Sequence, residues 1–163
     1  MRIRYCSDIH LEFNGNPLPK QFKTNSEEIL LVAGDTIPGV YLQEFKNDGR
    51  SRSMKKMFAK FLDKASKFKE VYMIGGNHEH YGGIIDNSIT WIKDFIKRGK
   101  TQGRWKNVHF LENEYVYLGN NVHLLACTLW TDAHKGNPMV AESISWYMND
   151  FRGQIKKLVG EDQ

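Results

Sequence analysis

Residues 27–35 read EEILLVAGD, an unbroken apolar run that stops at Gly34 and Asp35. A strand that alternated would keep one face wet; this one offers no polar face, so it must be covered on both sides. That requirement points to a parallel sheet with helices packed against it, and the flanking segments supply the parts. Ile3 and Tyr5 alternate in a first strand that runs to Asp8, and EVYMIGG, from Glu70, reads as another strand. Met54, Met57, Phe58, Phe61, Leu62, Ala65 and Phe68 recur at steps of three and four, the spacing of an amphipathic helix whose Met and Phe stripe is core. Ile85, Ile89, Ile92, Phe95 and Ile96 mark a second helix, with Gly99 expected to end it. The order β, β-α, β-α predicts an α/β domain, parallel in its first half.

The remainder reads as strand-rich. NVHFLEN, EYVYLG and NVHLLACTLW are three short runs divided by turn residues such as Gly119, Asn120 and Asn121. Apolar residues from Val140 to Leu158 suggest a helix over about 139–159, with Asn149, Asp150 and Gly153 as candidate breaks. Asn14, Gly15, Pro17 and Pro19 predict a loop, and KNDGRSRS a loop or helix lead-in. With no repeat or internal linker, the 163 residues are expected to form a single domain.

Charge excludes little and names no partner. The 23 basic and 19 acidic residues leave a formal +4, compatible with an anionic substrate. Nucleic acid as a partner would rest on the pI of about 9.0 and on clusters such as KKMFAK, which read more simply as a solvated helix face. No apolar run has membrane-spanning length, and the polar start MRIRYCSDIH does not read as a signal peptide, so no membrane association and a cytoplasmic location are expected. Cys6 and Cys127 match no C-x-x-C pattern and are expected to be small buried residues in strands of a reduced protein.

The strand ends carry the chemistry. SDIH follows the first strand, AGD the second and GGNHEH the third, and sites in open α/β sheets form just beyond such ends. Asp8 and His10 lie two apart, so an extended backbone would aim both side chains the same way. Glycines 34, 75 and 76 allow sharp turns and close approach. Carboxylate, imidazole and amide together suit Mn, Fe, Zn or Ni, and a carboxylate shared by two ions describes a two-metal hydrolytic centre.

On the motifs DIH (Asp8–His10), GD (Gly34–Asp35) and GNHE (Gly76–Glu79), the chain resembles the calcineurin-like metallophosphoesterases. RYCSDIHLEF, NHEHYGG, CTLWTD and MNDFR are similar to a small bacterial and phage-type branch, and the likeness runs to about Arg152. The resemblance implies an α/β sandwich of two sheets flanked by helices. It implies two divalent ions, drawn from Mn, Fe, Zn or Mg, with a hydroxide activated by the metals as nucleophile. Asp8 and His10 would hold the first ion, Asp35 would bridge, and Asn77 would hold the second. His78 would not be a ligand; it would meet the scissile phosphate and protonate the leaving oxygen. The implied activity is that of a phosphatase or phosphodiesterase acting on a phosphoester small molecule or a nucleotide.

The family pattern continues with a later histidine and Gly-His-x-His, which this sequence does not contain. The other histidines are His80, His109, His123 and His134, in EHY, VHF, VHL and AHK. His109 and His123 are expected as packed or surface-facing strand residues, His80 and His134 as loop residues within possible reach of a metal. The first metal thus keeps Asp8, His10 and Asp35, and the second only Asp35 and Asn77. The expectation is a domain lacking its C-terminal part, either a fragment or a short form whose exposed face is covered by a second copy or another chain. The alternative reading is a non-catalytic interaction module that keeps the fold with an incomplete metal site.

Overall fold

The structure is a computed structural model that describes residues 1–14 and 23–156; the expected loop prolines, Pro17 and Pro19, lie outside the described residues. In chain order the elements are β1 (Arg2–Cys6), α1 (Leu11–Asn14), β2 (Glu28–Ala33), α2 (Gly49–Ala65), β3 (Glu70–Ile74), β4 (Gly83–Ile84) and α3 (Ile85–Thr101). They are followed by β5 (Val108–Phe110), β6 (Glu114–Gly119), β7 (Val122–Ala126), the single turn α4 (Ala133–Gly136), α5 (Pro138–Tyr147) and β8 (Ile155–Lys156). A four-stranded parallel sheet in the order β1-β2-β3-β5 forms the centre, with Ile3 beside Ile29, Leu31 beside Tyr72, and Met73 beside Phe110. The mixed α/β architecture expected from the run of buried strands is therefore present. Two small sheets complete it among the described residues: the antiparallel hairpin β6-β7 and the two-residue parallel pair β4-β8.

Burial follows the sequence periodicity. Leu30 and Val32 in β2 and Val71 and Met73 in β3 are fully covered, as are Phe58, Phe61, Leu62 and Ala65 on α2 and Ile92 on α3. Asp48 starts α2 as an N-cap, its carboxylate accepting from the Ser51 backbone N–H (2.9 Å) and hydroxyl (2.7 Å). KNDGRSRS is thus the helix lead-in. No helix among the described residues is long and apolar enough to cross a membrane.

Several expectations are corrected. The first strand ends at Cys6, not Asp8, because the backbone turns left-handed at Asp8. Gly99 does not end α3; it lies buried inside the helix, where any Cβ would overlap the Trp105 indole, and the left-handed terminator is Gly103 (φ 79°). The last helix stops at Tyr147, where Met148 turns extended, and its expected end near Val159 lies outside the described residues. Both cysteines are free and only half-buried, and Cys127 sits one residue past β7.

Candidate metal centre and active site

Beyond the sheet, the chain after β1 keeps pairing with the chain after β2. Asp8 N–H donates to Gly34 O (3.2 Å), His10 N–H to Asp35 O (2.9 Å) and Leu11 N–H to Thr36 O (3.0 Å). Asp8, His10 and Asp35 all take positive φ (54°, 46° and 52°), a left-handed conformation that costs non-glycine residues of order 1–3 kcal/mol each. The strain has a geometric consequence. His10 Nε2 stands 3.9 Å from an Asp8 oxygen and 3.9 Å from an Asp35 oxygen, and one ligand atom from each residue fits within 4.8 Å of the others. The pair Asp8 and His10 does converge, but through left-handed turns and not through the pleat of an extended strand.

Glycine and Glu79 hold the next strand end against this turn. Gly34 (φ 83°) packs on the backbone of Gly76, and a Cβ on Gly76 would overlap the Asp35 carboxylate. Glu79 is fully buried and its two oxygens accept four backbone N–H groups, from Gly76 (2.7 Å), Asp35 (3.0 Å), Thr36 (2.6 Å) and Ile37 (3.2 Å). Burial pushes its carboxyl above the ordinary range, and the backbone hydrogen bonds oppose that push. Asp35 in turn accepts the His78 N–H at 3.0 Å. The loops after β2 and β3 therefore form one hydrogen-bonded unit.

Asn77 and His78 leave that unit in different directions. The Asn77 amide nitrogen donates to Asp150 (2.8 Å) and lies 3.3 Å from the Tyr81 hydroxyl, so its amide oxygen is the atom with ligand capacity. Tyr81 donates to the same Asp150 oxygen at 2.6 Å; burial, with Asp150 adding to it, pushes that hydroxyl up to about 12. The His78 ring stacks on Tyr81 (centroids 4.1 Å apart) and meets the His10 ring edge-on at 4.4 Å. Glu12 Oε1 lies 2.9 Å from His78 Nδ1 and 3.2 Å from His10 Nδ1, while Glu12 Oε2 is buried without a hydrogen-bond partner. A cavity of about 390 Å³ opens beside His78, lined also by Glu12, Tyr81, Tyr41 and Arg50. A second, of about 540 Å³, runs past Gly76, Asn77, Thr128, Trp130 and Asp150.

The remaining histidines stand apart. His109 pairs with Glu70 (2.9 Å) on the sheet, and His123 meets the Tyr115 hydroxyl (2.7 Å) on the hairpin. His80 is buried, which holds its imidazole below the usual range, and His134 is exposed in α4. None of the four belongs to a cluster of three ligand-type His, Cys, Asp or Glu side chains among the described residues.

The sequence marked Glu79 only as part of GNHE and Asp150 only as a helix break, and neither they nor Glu12 were expected to hold the site together. The signal for Glu12 was its place two positions after His10, and for Glu79 its place in the GNHE motif. Asp150 carried no local signal, because its partner is 73 residues away. Two carboxylates and an imidazole, gathered from the turns after β1 and β2, are a donor set that fits a divalent cation.

No curated protein and no solved structure matches the chain. The sequence model of one family does, described as calcineurin-like phosphoesterase and matching residues 1–154. With nearly the whole sequence covered, the strand-end motifs and the parallel sheet behind them have a common explanation: the chain belongs to the calcineurin-like phosphoesterase family.

Proposed function

We propose that the protein is a metal-dependent hydrolase of phosphomonoester or phosphodiester bonds, with Asp8, His10 and Asp35 as ligands of one divalent ion. The observation that carries this reading is the convergence of those three side chains, from two strand ends, within 4.8 Å. A divalent ion bound there supplies positive charge for phosphoryl oxygens and makes water acidic enough to serve as a nucleophile. The protein's own residues supply the rest. Asp35 and the Asn77 amide oxygen would hold a second ion, and His78 would donate a proton to the leaving oxygen. The cavity beside His78 gives a small phosphoester or a nucleotide room to approach.

The test is hydrolysis of bis(p-nitrophenyl) phosphate with and without Mn. Mn-dependent turnover that Asp35→Asn removes supports the reading; turnover indifferent to metal or to Asp35 refutes it. A second reading, a non-catalytic interaction module, draws on a specific observation. Asp150, the carboxylate that engages the Asn77 amide nitrogen, belongs to neither of the two ligand-type clusters found among the described residues, Asp8, His10 and Asp35 or His10, Glu12 and His78. Metal binding without any turnover, across mono- and diesters, would favour that module.

A further inference from the structure

Glu12 has no place in the scheme above, yet its carboxylate is almost wholly covered at the mouth of the site. Its side chain is 4% exposed, and one oxygen, Oε1, lies within hydrogen-bond distance of two imidazoles: His78 Nδ1 at 2.9 Å and His10 Nδ1 at 3.2 Å. The other oxygen is buried without a partner. Leaving such an oxygen unpaired is costly, so a packing role alone would be filled better by an apolar side chain. The two rings are held close, 4.4 Å apart and nearly perpendicular, with the carboxylate oxygen serving both.

A carboxylate oxygen can only accept, so each imidazole must donate through Nδ1–H. The proton position on one ring nitrogen fixes the role of the other. For His10, that frees Nε2, the atom lying 3.9 Å from both Asp8 and Asp35, as an unprotonated metal ligand. For His78, it leaves Nε2 toward substrate; the ring gives a proton there only when both nitrogens carry one, and Glu12 then stands as the anion opposite that charge. We infer that Glu12 is a shared positioning residue: its single oxygen Oε1 sets the ring orientation and tautomer of the ligand His10 and the acid His78 together. The inference rests on the proposed roles of those two histidines, and it adds that metal site and proton donor are ordered as one unit.

His10, Glu12 and His78 also bring one ligand-type atom each within 4.8 Å of the others, so the three side chains could close on an ion themselves. The observed 2.9 and 3.2 Å are hydrogen-bond lengths, and addition of Zn separates the two arrangements.

The experiment is a long-range ¹H–¹⁵N correlation of the histidine rings in the full metal-free chain, at a pH well above the ordinary imidazole pKa. The wild-type protein should show His10 and His78 protonated at Nδ1, which needs no variant and no activity. Glu12→Ala should return both rings to the Nε2–H form that imidazole prefers in water and weaken Mn binding about 10–100-fold, the usual worth of a group that orients a metal ligand. Glu12→Gln, whose amide oxygen still accepts, should restore the Nδ1–H form. Either ring found as Nε2–H in the wild type, or a Glu12→Ala effect on one ring alone, would overturn the shared role. So would a Zn-induced shift at His78 Nδ1, which would make the cluster an ion cage. Correct tautomers in a protein without any phosphoesterase activity would leave Glu12's role standing and sink the proposed function instead.

Discussion

Residues 1–111 and residues 114–156 contain similar kinds of apolar side chain and use them in opposite ways. In the first region Leu30, Phe58, Phe61, Met73 and Ile92 are completely covered by the parallel sheet and its two long helices. In the second, only Ala126 and Asp150 are buried, while Leu125, Leu129, Trp146 and Tyr147 are each exposed by two-thirds or more. The difference teaches where the site obtains its rigidity. Asp8, His10, Asp35, Asn77 and His78 all leave strands of the packed region, and the strained φ values there need a firm base. The second region reaches that base through the β4-β8 pair, where Gly83 lies beside Ile155, and through polar links that include Asp150 to Asn77 and Tyr81 and the Thr128 hydroxyl to Gly75 O at 2.7 Å.

The sharpest way to break this contrast is to hollow out the first region. Phe58→Ala should cost about 3–5 kcal/mol in urea unfolding, because the ring has no exposed surface and packs against Phe61 and Phe95. A loss below about 1 kcal/mol would mean that the sheet and α2 are not the cooperative core. Next in size, Asp150→Ala removes the acceptor shared by Asn77 and Tyr81 and should cost about 1–3 kcal/mol. If stability and metal binding both stay unchanged, Asp150 does not tie the second region to the site. Trp146→Ser, on the open face of α5, should stay within about 0.5 kcal/mol of the parent; a larger loss would show that α5 is covered in solution.

The smallest effect concerns pH. Burial pushes the Asp63 carboxyl up, but hydrogen bonds from Arg104 and Trp105 outweigh it and hold the group below the usual carboxylate range. A depressed folded value stabilises the protein above the unfolded carboxylate pKa, and the contribution fades as pH falls through the folded value. Asp63→Asn should therefore flatten the acid end of the stability profile slightly, by a screened, half-exposed amount. No change in that limb would separate Asp63 from the acid response.

How much of this was legible in the residues differs between the two regions. EEILLVAGD declared a strand buried on both faces, and the Met and Phe spacing declared α2, because burial imposes a period on the sequence. The metal-type residues were visible too, since each follows directly on a strand end. The mechanism of their convergence was not: positive φ at Asp8 and His10 follows from backbone pairing with Gly34 and Asp35, a long-range contact with no local trace. Gly99 misled because a glycine near a helix end reads as a cap, whereas its cause is the Trp105 ring six residues on. Asp150 was invisible for the same reason.

The central claim divides labour between neighbours: Asp35 holds metal, and His78 moves a proton. Mn content measured beside turnover, in the parent, Asp35→Asn and His78→Asn, tests it most directly. The account predicts that Asp35→Asn loses metal and activity together. His78→Asn should keep nearly all its metal while turnover falls by roughly 10²–10⁴-fold, the usual worth of a positioned acid. A His78→Asn protein that loses its metal, or that keeps full turnover, would contradict that division.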